Sequence, residues 1–203
     1  MTAKTVILAA GDFPRRGGEA FRLLAAATHV VACDSAARGY RRRFHRWPEV
    51  VVGDFDSFGS TRALEAEARV VRETEQETND LAKAIRFCRR EGWESPVVVG
   101  ATGRREDHAL GNIFLALDEG LTVVTDHGAF HPVSSAASFR APKGSAVSIF
   151  APKPGTRLTS KGLKWPLDGV KMGSLYAAIL NRTTAETFSL TTTRPVSVFI
   201  AKC

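Results

Sequence analysis

The sequence predicts an α/β fold: a parallel-sheet domain with helices on both faces, followed by a small antiparallel β-sandwich. Three observations predict it. Short β-branched runs alternate with helical patterns as far as about Pro132, the pattern of a parallel sheet covered by crossover helices. Beyond Pro132 helical periodicity nearly vanishes and Ser, Thr, Pro and Gly rise. At 203 residues, 44% hydrophobic and 24% charged, the chain has globular composition and can bury a sizeable core.

Val6–Ala9 reads as the first strand and Glu19–Ala27 as a helix. Val30–Ala32 is a second strand, followed by a helix over Ser35–Arg43. Val50–Val52 is a third, with Thr61–Ala68 helical after it, and Val70-Val71 a short fourth. Asn79–Glu91 is helical, with Leu81, Ala84, Ile85 and Cys88 on one stripe. Val97–Val99 is the fifth strand. A helix from about Glu106 to Leu117 places Leu110, Ile113, Phe114 and Leu117 together, and Leu121–Val124 closes the series. In the second part Ala146–Ala151, Glu186–Thr191 and Pro195–Ala201 read as strands. The expected domains are residues 1–133 and 138–203. A sandwich of about 65–70 residues is marginal alone, so it should lean on the first domain or on another copy of the chain.

The longest apolar runs fall far short of the ~20 residues of a membrane span, and the N-terminus lacks the pattern of a secretory signal. Cys33, Cys88 and Cys203 form no close pair and read as reduced cytosolic thiols, which places the protein in the cytoplasm. A net charge of +7 favours anionic partners such as nucleotides or phosphorylated metabolites. Arg38, Arg41, Arg42, Arg43 and Arg46 concentrate that charge and read as a solvated helix face. A nucleic-acid patch is the alternative, but no aromatic platform is expected to be interleaved with it.

In parallel sheets ligands bind at the carboxyl ends of the strands, so the chemistry is sought in the loops that follow them. Gly53-Asp54-Phe55-Asp56-Ser57 follows the third strand directly. Two carboxylates two residues apart suit Mg²⁺, which takes oxygen ligands and keeps waters or phosphates elsewhere; an Asx turn capping backbone N–H groups is the structural alternative. Gly53 is expected to ease the turn. Gln76-Glu77-Thr78-Asn79-Asp80 opens a helix after the fourth strand, with Thr78 or Asn79 as N-cap. Asp80 either favours the helix dipole or completes a three-carboxylate site with Asp54 and Asp56. Lys83, one turn on, points the same way, towards a phosphate.

Gly100-Ala101-Thr102-Gly103-Arg104-Arg105-Glu106-Asp107-His108 lies between a strand and a helix. Its glycines let backbone N–H groups approach an anion, and Arg104 and Arg105 add planar donors suited to phosphate. Asp107 can cap the helix, ligate metal or fix an arginine; His108 has no partner at metal-ligand spacing. In the second domain Trp165 stands in the Gly- and Pro-flanked stretch Thr159–Leu167, where its indole can present a flat face to an aromatic or cationic ligand or plug a seam. Trp47 and Trp93, each beside a strand, read as core or edge packing.

Together these stretches resemble the thiamine pyrophosphokinase (thiamine diphosphokinase) family. The Gly-Asp-x-Asp-Ser loop, the Glu-x-x-Asp helix start, the Gly-rich loop running into Arg-x-Asp-His, and the Gly-Leu-Lys-aromatic-Pro-Leu stretch occur in the family's order from about Ile7 to Ile200. The resemblance implies Mg²⁺-dependent transfer of the diphosphoryl group of ATP to the thiamine hydroxyl, releasing AMP. It also implies a homodimer with active sites between subunits. Asp54, Asp56 and Asp80 match the metal and phosphate carboxylates, and Arg104 and Asp107 the polar pair of the Gly-rich loop. Trp165 matches the aromatic residue against thiamine, and Asn181 the Asn of a late Ser-Asn pair. The expected ATP contacts extend to Asp34, Ser57, Lys83, Thr102, Gly103 and Arg105. Leu180 stands where Ser is common, Glu77 where Asp is common and Asn79 where Thr is common.

Two competing readings stand beside it. Asp-x-Asp loops also serve aspartyl phosphatases and nucleotide-sugar transferases. The phosphatases usually carry the motif after the first strand, followed by Thr or Val; here it follows the third and precedes Ser. A nucleic-acid binder using the Arg38–Arg46 cluster leaves the carboxylate loops unexplained. The expected partners are therefore ATP and thiamine, with no nucleic acid and no membrane.

Overall fold

The computed structural model describes residues 4–56, 58 and 60–202 and divides into two compact units, residues 1–115 with 123–126, and residues 116–122 with 127–203. In the first unit strands and helices alternate: β1 (Thr5–Leu8), α1 (Glu19–Ala26), β2 (His29–Cys33), α2 (Ala36–Phe44), β3 (Val50–Gly53), α3 (Arg62–Glu65), β4 (Arg69–Arg72), α4 (Asp80–Arg90), β5 (Val97–Val99), α5 (Glu106–Asp118) and β6 (Val123–Val124). Within this unit the strand order is β6-β5-β1-β2-β3-β4, and every paired neighbour is parallel. All residues of β1, β3 and β5 are buried, as a sheet covered on both faces requires. The strand order reverses between β1 and β5, where the loops on either side diverge and leave a crevice at the carboxyl edge.

Helix α4 follows its sequence pattern closely. The Asn79 side chain accepts the Ala82 N–H at 2.9 Å, closing the N-terminus, and Leu81, Ala84, Ile85 and Cys88 are buried. Helix α2 ends on His45 in the left-handed region, with Arg41, Arg42 and Arg43 in its last turn, where cations complement the helix dipole. Contrary to the sequence expectation, aromatic rings do underlie this cluster: the Arg38 guanidinium lies 4.4 Å from the Phe58 ring centre and that of Arg41 4.5 Å from Trp47. Trp93 packs at an edge, stacked on His29 with ring centres 4.2 Å apart.

The second unit holds β7 (Gly128–Val133), β8 (Ala136–Arg140), β9 (Ala146–Phe150), β10 (Arg157–Lys161), β11 (Val170–Lys171), β12 (Ala178–Arg182), β13 (Thr187–Thr192) and β14 (Val196–Ala201). They form two antiparallel layers, β12-β9-β14-β7 and β11-β10-β13-β8. Val147, Ile149, Val196 and Val198 from one layer and Leu158, Phe188 and Leu190 from the other share one core. Along β10 and β13 inward and outward residues alternate, so each layer keeps one apolar face.

Several expectations are corrected. The strands β7, β8, β10, β11 and β12 were not legible: β10 carries one large apolar residue, Leu158, and β7 contains Pro132. Helix α3 shrinks to four residues, Arg62–Glu65. Leu110, placed on the apolar stripe of α5, is 59% exposed, whereas Leu117 is buried. Cys33 and Cys88 are free and buried; Cys203 lies outside the described residues.

Candidate active site

Five loops at the carboxyl edge of the first unit's sheet enclose a cleft of about 430 Å³, within the usual range for a small-ligand site. Ala9, Ala10 and Gly11 come from the end of β1 and Cys33 from the end of β2. Asp54 follows β3, Gln76, Thr78, Asn79 and Asp80 lead into α4, and Ala101, Gly103, Arg104 and Arg105 follow β5. Lys83, His108 and Asn112 complete the wall.

The loops after β1 and β5 lie backbone to backbone. Gly11 N–H donates to Gly100 C=O and Asp12 N–H to Thr102 C=O, both at 2.8 Å. Glycine is required in this contact: a Cβ on Gly11 would sit 2.3 Å from the Thr102 oxygen, and one on Gly103 2.2 Å from the Asp12 carboxylate. Arg104 takes a left-handed conformation at φ 60° and donates from Nη1 to Ala10 C=O at 3.0 Å. That bond fixes the guanidinium at the cleft and leaves its other donors open among the described residues.

Gly53 serves a purpose different from the expected turn. It lies outside the positive-φ region, and the residue that enters it is Phe55, at φ 65°. What Gly53 permits is close approach, since a Cβ there would lie 2.8 Å from Asp34 Cβ. Gly53→Ala is accordingly expected to destabilise the protein by about 1–3 kcal/mol through overpacking, read from the denaturant midpoint. An unchanged midpoint would contradict the contact.

Asp54 and Asp56 form an Asx turn, in which the Asp56 N–H donates to Asp54 Oδ1 at 3.1 Å. That bond, helped by Gln76 Nε2 on Oδ2 at 3.3 Å, holds the Asp54 carboxyl below its ordinary pKa. Asp80 behaves in the opposite way. Burial, and then the charges of Asp34 and Asp54, push its pKa up, partly offset by Lys83. The Lys83 ammonium is buried, 3.5 Å from Asp80 Oδ1. Cys33 Sγ donates to the Asp80 main-chain oxygen at 3.5 Å, and burial raises its own pKa well above the ordinary thiol value.

Of the expected site residues, Asp54, Asp80, Lys83, Gly103, Arg104 and Arg105 share the cleft. Asp56 is exposed on the turn and Thr102 gives only its carbonyl to Asp12; neither side chain is in the wall. Among the described residues no group of three or more His, Cys, Asp or Glu side chains is arranged to hold a metal ion; of the three expected metal carboxylates, Asp54 and Asp80 line the cleft. Asp34 is not in the wall and is buried against Gly53. Asp107 pairs with Arg105, which draws its pKa down to about 2. Ser57 lies outside the described residues.

Three contributors were missed by sequence reasoning. Gly11 follows the first strand, and the rule about βα loops would have found it. Gln76 lay in the singled-out stretch but was given no role, and Asn112 gave no signal: Asn112 bridges two loops, donating to Ala101 C=O at 3.0 Å and accepting from Asn79 Nδ2 at 3.1 Å.

In the second unit Trp165 is 52% exposed and Asn181 4% exposed. Asn181 bonds the main chain of Trp165 at both poles, accepting from its N–H at 3.2 Å and donating to its C=O at 2.7 Å. The Lys164 ammonium lies 4.7 Å from the centre of the Trp165 ring.

Comparison with known proteins matches residues 21–129 to "Thiamin pyrophosphokinase, catalytic domain" and residues 128–199 to "Thiamin pyrophosphokinase, substrate-binding domain". Thiamin pyrophosphokinase 1 of Caenorhabditis elegans is 32% identical over 95 residues, covering 43% of this chain and 39% of that protein. The matched segment thus spans well under half of that relative's length. A thiamin pyrophosphokinase family protein from Enterococcus faecalis superposes with a TM-score of 0.81 at 17% identity, over 99% of this chain and 100% of the other. The thiamin pyrophosphokinase of Candida albicans gives 0.77 at 15% identity, over 99% and 93%. At these identities the likeness is one of fold. Among the described residues no helix is long and apolar enough to cross a membrane.

Proposed function

The chain belongs to the thiamin pyrophosphokinase family, and from that premise we propose that it is a thiamine diphosphokinase, transferring the diphosphoryl group of ATP to the hydroxyl of thiamine and releasing AMP. The supporting observation is a single cleft at the strand-order reversal, where Asp54 and Asp80 face Lys83 and Arg104. A triphosphate with its metal needs both signs of charge in one place, and diphosphoryl transfer needs positioning and charge stabilisation more than covalent chemistry.

The donor set fits Mg²⁺. Asp54 and Asp80 supply hard oxygens that line the same cleft. These two residues would hold the ion, and the family resemblance adds Asp56. Bound there, Mg²⁺ supplies neutralisation of phosphate charge. The chain's own residues do the rest. Gly11 and Gly103 let the loops after β1 and β5 pack closely at the cleft that would hold the phosphates. Arg104, anchored on Ala10, and the buried Lys83 meet charge that develops on the transferring group. The thiamine hydroxyl attacks the β-phosphorus in line, with AMP as leaving group.

Trp165 is the proposed platform for thiamine, whose pyrimidine is flat and whose thiazolium is cationic. Trp165→Ala should raise KM for thiamine roughly tenfold and leave KM for ATP unchanged. The chain is proposed to act as a cytoplasmic homodimer in which each Trp165 serves the partner's cleft; the buried free thiols Cys33 and Cys88 favour a reducing compartment. Mixing inactive Asp80→Asn chains with Trp165→Ala chains tests the sharing. Regain of activity after subunit exchange supports it, and no regain after verified exchange contradicts it.

The activity itself is read by incubating the protein with ATP, Mg²⁺ and thiamine and separating the nucleotides. AMP appearing only when thiamine is present is the expected result. ADP or free phosphate in its place would favour another Asp-x-Asp enzyme.

A further inference from the structure

We infer that Asn181 is a positioning residue, which sets the presentation of the Trp165 indole and acts on thiamine affinity through that ring rather than by touching the substrate. The inference rests on the reading of Trp165 as the thiamine platform. It assigns Asn181 a role different from direct contact, and the assignment follows from how the amide's bonding capacity is used.

An Asn side chain offers two acceptor lone pairs and two N–H donors. Here both lone pairs are engaged, by Trp165 N–H at 3.2 Å and Arg182 N–H at 2.8 Å. One donor is engaged by Trp165 C=O at 2.7 Å. With the residue 4% exposed, little remains to offer a ligand. The indole it braces is 52% exposed, so the buried amide anchors and the exposed ring presents.

The local fold explains why the amide points inward. Strand β12 slips register against β9 between Ala178 and Asn181. Leu180 sits in that slip at φ 65° and is 77% exposed, with its N–H held by Ser148 Oγ at 3.3 Å. One residue turned outward by a bulge turns its neighbour inward. The Leu163–Thr183 bridge, and Lys164 N–H on Arg182 C=O at 2.8 Å, lay the segment before Trp165 along β12. Pro166 then fixes the chain on its far side. The ring is therefore held by its main chain, and Asn181 is the side chain that grips that main chain at both ends.

The test compares Asn181→Ala, Trp165→Ala and the double variant, with Asn181→Ser as a milder neutral replacement should the Ala variant fail to fold. KM is measured for thiamine and for ATP. Emission and anisotropy of Trp165 are read in a Trp47→Phe/Trp93→Phe background. Asn181→Ala should raise KM for thiamine roughly five- to tenfold, the worth of the lost bonds, leave KM for ATP unchanged, and lower the anisotropy of Trp165. In the Trp165→Ala background it should add less than about twofold, because residues acting as one unit are not additive. Fully multiplicative effects would show that Asn181 meets thiamine itself and overturn the inference. So would unchanged emission and anisotropy of Trp165 in a folded variant. If Trp165→Ala leaves KM for thiamine unaltered, the platform reading fails instead, and the optical signals still decide whether Asn181 holds the ring.

Discussion

Asp80→Asn is expected to lower kcat about a hundred- to thousandfold, the scale of losing a charge-stabilising group at a transferring phosphate. The carboxylate lies at the start of α4, faces the cleft and pairs with the buried Lys83. An amide of the same shape keeps the packing but is a poor ligand for a hard cation. Stability should move the other way. Burial and the charges of Asp34 and Asp54 raise the Asp80 pKa, so the folded protein holds this proton more tightly than the unfolded chain does. The associated stability is present below the ordinary carboxylate pKa and is lost as pH rises through the raised value. At neutral pH the ionised carboxylate therefore weakens the fold, and the amide should leave Tm no lower than the parent's. Steady-state kinetics and a thermal melt check both halves. Turnover close to the parent's in a folded Asp80→Asn protein would remove Asp80 from the reaction.

Arg104→Ala should also reduce kcat by about a hundredfold or more, with KM for thiamine changed by less than about twofold. Its guanidinium spends one donor on Ala10 C=O and is held at the cleft by a left-handed backbone. A preorganised cation of this kind stabilises charge that develops on phosphate, with little reorganisation during the reaction. Arg104→Lys should recover only part of the loss, because an ammonium on a flexible stem cannot keep the anchor and a planar donor fork together. If KM for thiamine rose and kcat at saturation held, Arg104 would belong to the other substrate's pocket.

How much of this was legible in the sequence depends on whether a residue's role is local. Asp54, Asp80 and Lys83 could be placed because apolar strands and periodic helices fix where βα loops fall, and those loops converge on one edge. Asn79 could be read as an N-cap because capping involves residues three apart. Asn112 could not, since its two bonds reach other loops and nothing in helix α5 announces them. Gly53 was recognised as special for a turn, whereas its neighbour in space, Asp34, supplies the reason. The second unit was harder to read. Strand β10, Arg157–Lys161, has polar residues at four of five positions because one face is solvated and Ser160 faces inward. The inward turn of Asn181 depends on a register slip against β9, a property of two strands rather than one.

In the proposed reaction ATP gives up its two outer phosphates together. The most direct measurement supplies ATP labelled at the β-phosphate in one reaction and at the γ-phosphate in another, with Mg²⁺ and thiamine, and follows each label by chromatography. Both labels should arrive in thiamine diphosphate in equal yield, matched by an equal yield of AMP. Arrival of the γ label alone, with ADP as the nucleotide product, would contradict the account.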